Sequence, residues 1–114
     1  MADRQTIEFF KGVLEKTRAG RIPWKPTAEE SNFIAAIGGQ YVLSISAHDV
    51  SPTAELPHYA LTLSDRIGNE LTTVTDMDQE ISAKDIQELY ETARRRAIQV
   101  DEKIGGVLAV LSRL

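Results

Sequence analysis

Asn32-Phe33-Ile34-Ala35-Ala36-Ile37-Gly38-Gly39-Gln40-Tyr41-Val42-Leu43-Ser44-Ile45-Ser46 is the stretch that decides the fold. Phe33, Ala35 and Ile37 recur at every second position, and so do Tyr41, Leu43 and Ile45. Successive side chains of a strand point to opposite faces, so this spacing gathers the apolar residues on one face. Gly38-Gly39 between the two runs marks the reversal of a β-hairpin. The intervening Val42, Ser44 and Ser46 are mostly small and polar, the pattern of an antiparallel sheet buried on one side only.

Toward the C-terminus the pattern repeats. His48 to Pro57 reads as a loop, with Pro52 and Pro57 keeping it out of the sheet. A third strand carries Tyr59, Leu61 and Leu63 against Ala60, Thr62 and Ser64. Asp65 to Asn69 turns the chain, with Gly68 free to take positive φ, and Leu71 to Thr75 forms a fourth strand. Toward the N-terminus, Ile7, Phe10, Val13 and Leu14 fall at helical spacing over residues 4–19. Asp3 is a candidate N-cap and Gly20 a candidate C-cap. Gly12 weakens this helix by about 1 kcal/mol relative to alanine. Ile22-Pro23-Trp24-Lys25-Pro26 is an extended connector, because each proline excludes helical geometry at the residue before it. Ser82-Ala83-Lys84-Asp85 fits a capping box that opens the last helix. The order is α-β-β-β-β-α: an α+β fold in which an antiparallel meander of about four strands is flanked by an N-terminal helix and a long C-terminal helix. The helices must cover the apolar face, so Tyr41, Leu43, Ile45, Tyr59, Leu61 and Leu63 are expected to be buried.

A chain of 114 residues is expected to form one domain, residues 1–114, burying roughly two-thirds of its unfolded surface. There is no cysteine, which excludes disulfides, thiolate metal sites and cysteine nucleophiles. The N-terminal residues lack the pattern of a secretory signal and no apolar run is long enough to span a membrane, so a cytoplasmic protein without membrane contact is expected. The net charge of −4 is unevenly spread. Residues 1–26 carry six Lys/Arg against three Asp/Glu, residues 27–80 one against nine, and residues 81–114 six against five. An acidic middle repels phosphates, so no nucleic-acid partner is expected.

The segment Lys16-Thr17, Gly20-Arg21-Ile22 and Trp24, followed by a meander and a C-terminal helix containing Leu89-Tyr90-Glu91, Ala93-Arg94-Arg95 and Val100-Asp101-Glu102, resembles a recurring pattern in a group of small bacterial proteins of unknown function. The resemblance implies a bacterial or phage origin. It implies no activity, and no catalytic residue is carried over from it.

Several residues are candidates for chemistry, each with a plainer alternative. Trp24 is a rigid indole held between two prolines, a partner-binding anchor or a plug at the edge of the core. Arg94, Arg95 and Arg96 form a basic run suited to an anion or an acidic partner. Against that, residues 84–103 hold five acids and five bases, and Glu91 lies at pairing distance from Arg94 and Arg95, as on a self-neutralised helix face. His48 and His58 flank one loop, with Asp49 and Glu55 between them, a setting for a metal-dependent or small-molecule enzyme. Their spacing matches no tight ligand motif, so no metal or other cofactor is assigned. Asp76, Asp78 and Glu80 precede the last helix, where its dipole favours acids.

The last helix carries the remaining signal. Its stripe of Ile86, Leu89, Tyr90, Ala93, Ala97, Val100, Ile104, Val107, Leu108 and Leu111 keeps one helical phase. A continuous helix from Ser82 to Leu111 is roughly 45 Å long, against a diameter of about 34 Å for a compact domain of this length. Ile104, Val107, Leu108 and Leu111 would then overhang the sheet and pair with a protein partner, most simply a second copy across a two-fold axis. Alternatively the helix breaks at Gly105-Gly106 and folds back. The unbroken phase favours continuation. With no nucleophile elbow, phosphate loop or dinucleotide fingerprint present, the reading is a non-catalytic protein-interaction or regulatory module, with the His48–His58 enzyme as the alternative.

Overall fold

A computed structural model of the chain describes residues 4–48, 58–78 and 80–114, apart from the side chains of residues 100 and 101. Helix α1 (Arg4–Arg18) leads into five strands, β1 (Lys25–Pro26), β2 (Asn32–Ile37), β3 (Tyr41–His48), β4 (His58–Asp65) and β5 (Glu70–Thr75). Helices α2 (Ala83–Ala97) and α3 (Val100–Leu111) follow. The strands form one antiparallel sheet in the order β1-β2-β3-β4-β5, an α+β meander.

The central register is the one that the alternation demands. Phe33 lies opposite Ile45, Ala35 opposite Leu43, Leu43 opposite Leu63, and Ile45 opposite Leu61, with Val74 beyond Leu61 on β5. Phe33, Ala35, Leu43, Ile45, Leu61 and Val74 are buried beneath Ile86, Leu89 and Ala93 of α2 and Phe10, Val13 and Leu14 of α1. On the opposite face the polar residues form side-chain rungs across the strands: Ser44 donates to Asn32 (2.8 Å) and the Thr62 and Thr73 hydroxyls meet at 3.2 Å. Among the described residues no helix is long and apolar enough to cross a membrane.

Four expectations are corrected. The sheet has a fifth strand: Lys25 pairs with Ile34 and Pro26 with Phe33, inside the segment expected to be a connector. An edge strand tolerates proline, because the missing N–H faces away from the ladder. Tyr41, expected in the core, is 43% exposed. It lies at the hairpin end of the sheet opposite Ile37, where neither helix covers it. Tyr59 and Leu63 are only half-buried, and Tyr59 packs instead on the ring of Tyr90 (centroids 5.2 Å apart). Ser82 is the N-cap of α2 but makes no side-chain cap bond, so there is no capping box. Ile81 just before the cap and Ile86 in the first turn are both buried, and this hydrophobic staple holds the helix entry.

The fourth correction concerns the last helix, which neither continues nor breaks at the glycines. It stops at Ala97, turns through Ile98 and Gln99, and restarts as α3, with Gly105 and Gly106 inside the new helix. Gln99 sits in the left-handed region at φ 56°, ψ 47°, a conformation that costs a side-chain-bearing residue roughly 1–2 kcal/mol. Ile98, the C-cap residue of α2 at this turn, is partly buried against the core.

The end of α1 is closed as the sequence indicates, and more fully. Gly20 takes φ +73°, its N–H donates to the Thr17 carbonyl (3.0 Å), and the Arg21 N–H donates to the Lys16 carbonyl (3.0 Å). This pair of bonds is a Schellman motif. Asp3, the candidate N-cap, lies outside the described residues. Arg18 then reaches α2, donating two hydrogen bonds to the Glu88 carboxylate at 2.6 and 2.7 Å.

That ion pair has a pH signature. The Arg18 guanidinium holds the Glu88 carboxyl below its ordinary value, and the Asn69 and Ile67 N–H groups, with the Asn69 amide, do the same for Asp65. A depressed carboxyl stabilises the fold above its unfolded pKa of about 4, and that contribution is lost as pH falls through the lower, folded value. Urea midpoints should therefore decline on the acid side of pH 4. Glu88→Gln should reduce that decline slightly, since the pair is about half exposed and screened by water. An unchanged acid slope in the variant would mean that the pair adds nothing to folding.

Candidate functional site: the C-terminal helix and the groove beside α1

Helix α3 is exposed along its whole described length. Its residues repeat at helical spacing, so Ile104, Val107, Leu108 and Leu111 share one face, with Val110 and Leu114 on its flank. These side chains run from about half exposed at Ile104 to 61% at Leu108 and 94% at Leu114. The stripe is therefore exposed, although the continuous helix expected to carry it past the sheet is broken at Gln99. The radius of gyration is 15.6 Å, against about 13 Å for a compact domain of this length, and the longest dimension is 55 Å. Among the described residues none covers the stripe.

A second apolar surface lies between α1 and the hairpin end of the sheet. Phe9 and Val13 on α1, Ile22 in the connector, and Ile37 and Leu43 on β2 and β3 line a groove of about 450 Å³, with Glu8, Lys16 and Arg21 at its rim. Gly12 opens onto it from the middle of α1. Reading the sequence alone does not find this groove: its walls come from three separate segments, and the only local sign is a glycine in the interior of a helix.

The other candidates are placed differently. Trp24 is 4% exposed and belongs to the core, and its Nε1–H donates to the Thr17 hydroxyl at 3.1 Å. The indole therefore acts as the plug rather than as a surface anchor. Thr17, Gly20 and Trp24, three of the residues that carry the sequence resemblance, are all part of the closure of α1.

Arg94, Arg95 and Arg96 do not converge, because successive helical residues point about 100° apart. Arg94 lines a polar cleft with Glu29, Glu30 and Phe33, and the Arg96 guanidinium lies over Gly20, 2.9 Å from where a side-chain carbon would stand. Arg95 is exposed. Glu91, expected to pair with them, accepts a hydrogen bond from Gln87 (3.2 Å). The basic end of α2 thus sits beside the acids of the middle segment.

His48 and His58 face one another directly across β3 and β4. His58 Nδ1 lies 3.0 Å from Asp76 Oδ2, Asp76 Oδ1 accepts the Tyr59 N–H (3.3 Å), and His48 Nε2 lies 2.9 Å from the Ser46 hydroxyl. Asp76 and Asp78 are therefore not simply acids at a helix start. Asp76 orients His58, and Asp78 accepts the Thr75 N–H at 2.9 Å. Asp49 and Glu55 lie outside the described residues. Among the described residues no group of three His, Asp or Glu is placed to hold a metal ion, and every buried side-chain N or O has a partner. Compared with family models, curated proteins and solved structures, the chain has no match in any of the three.

Proposed function

We propose that this chain is a non-catalytic interaction module that works through α3, and that the partner of α3 is a second copy of the chain. The carrying observation is the uncovered stripe of Ile104, Val107, Leu108 and Leu111. A 12-residue helix is marginal in water even with good helix formers, and this one contains two adjacent glycines. Its described side chains are all exposed, so burial against a partner is what would stabilise it. Six apolar side chains about half exposed or more present on the order of 500 Å² per chain, and a symmetric pair buries on the order of 1,000 Å², near the lower limit for specific association. An enzyme built on His48 and His58 has less support, because one ring nitrogen of each is held by Ser46 or Asp76 and neither described groove, beside α1 or beside Arg94, is lined by them.

Light scattering at micromolar concentration should return twice the chain mass. Leu108→Asp puts a charge in the middle of the stripe while touching no core residue, and should return a single-chain mass with the thermal transition of the fold retained. A native chain that stays monomeric up to high micromolar concentration removes this reading.

A further inference from the structure

We infer that α3 of one copy lies in the groove between α1 and the β2–β3 hairpin of the other copy, reciprocally across the two-fold axis. This rests on the self-association proposed above and names the surface that receives the helix. Two apolar surfaces of the same chain are unfilled: the exposed α3 stripe and the groove floored by Phe9, Ile22 and Ile37, which are only partly buried against the core. The chain's own α3 does not fill its groove, since every described α3 side chain is exposed and none lines the groove.

The lengths match. Along α1 the groove runs from Glu8 to Lys16, about 12 Å at the helical rise, and the stripe from Ile104 to Leu111 is about 10 Å.

Gly12 is the second observation. Glycine weakens the interior of a helix relative to alanine, and a side-chain carbon at Gly12 would meet nothing within 4 Å in this chain. Gly20 differs, since both its positive φ and the guanidinium of Arg96 require glycine there. The gap at Gly12 has no use inside the chain, but it is where a second helix can approach α1 closely. Interaxial distances of packed helices are set by the side chains at the contact. Pairing α3 only with α3 buries the two stripes and leaves both grooves in water. Reciprocal insertion buries two stripes and two grooves, a larger apolar area than pairing the stripes alone.

Gly12→Leu fills the groove with a better helix former and touches no α3 residue. Sedimentation should show at least a tenfold weaker dimer with an undiminished thermal transition of the fold. An unchanged dimer in Gly12→Leu, with Leu108→Asp still monomeric, overturns the groove but leaves self-association standing. A monomeric native chain overturns both. Independently, the chain has no cysteine, so Gly12→Cys with Leu108→Cys reports proximity cleanly. A disulfide-linked dimer whose link joins position 12 of one chain to position 108 of the other, located by peptide mapping, is the expected product, and a link between two position-108 residues overturns the placement. A link formed only within one chain, or no link under oxidising conditions in which the dimer persists, overturns the placement.

Discussion

Trp24→Ala is expected to lower the unfolding free energy by about 3–5 kcal/mol, the range for removing a large buried aromatic side chain. The indole sits in the core among residues of α1, β2 and α2, and deleting it leaves a cavity and strips the Thr17 hydroxyl of its donor. The hydrogen bond itself can be isolated. Thr17→Val keeps the shape and removes the acceptor, leaving the buried indole N–H unsatisfied at a cost of about 1–3 kcal/mol. Combined with Trp24→Phe, which removes the donor, Thr17→Val should cost much less than it does alone, because a pair replaced on both sides leaves nothing unsatisfied. Urea denaturation of the four chains at one fixed protein concentration closes the cycle. Purely additive costs would show that the Trp24–Thr17 bond does not contribute.

Leu61→Ala carries the second large effect, about 2–5 kcal/mol. Leu61 is fully buried at the centre of the sheet, between Ile45 and Val74 and beneath the helices. Its neighbour Thr62 faces the other way, toward Thr73 on the uncovered side. Thr62→Ala should stay within about 0.5 kcal/mol of the native chain, as surface substitutions usually do. A slip of one residue would exchange these two positions, so a Thr62 cost above the Leu61 cost would refute the register.

The two kinds of surface bear on each other. The closure of α1 by Thr17, Gly20 and Trp24 positions Ile22 and Arg21 at one end of the groove, while Gly12 opens it from the middle. A variant that loosens the closure should therefore weaken self-association as well as folding, whereas Leu61→Ala acts from the sheet and reaches the groove only through global unfolding.

What the sequence determined by itself is what depends on near neighbours along the chain. Alternation over residues 32–46 and 59–64 set three of the long strands and chose their buried face, because a pleated strand sends every second side chain to the same side, whereas the inward turn of Val74 on the fourth was not read from the sequence. Helical spacing placed α1 and the stripe of the C-terminal segment, and Gly20 ended α1 because only glycine takes that turn without strain. The apolar stripe from Ile104 to Leu111 was legible too, but the length argument for its overhang assumed a continuous helix that the turn at Gln99 breaks. The tertiary structure decided the rest. Lys25–Pro26 became a strand because β2 offered it an edge, not because its own residues favour one. The helix breaks at Gln99 rather than at Gly105-Gly106, at a residue whose type does not favour the left-handed conformation it takes, so the break is not written in the local sequence. Trp24 went inside because Thr17, seven residues away, held an acceptor for its N–H. The groove exists only where α1, the connector and the hairpin end meet, and no local pattern encodes the gap left between segments that far apart in the chain.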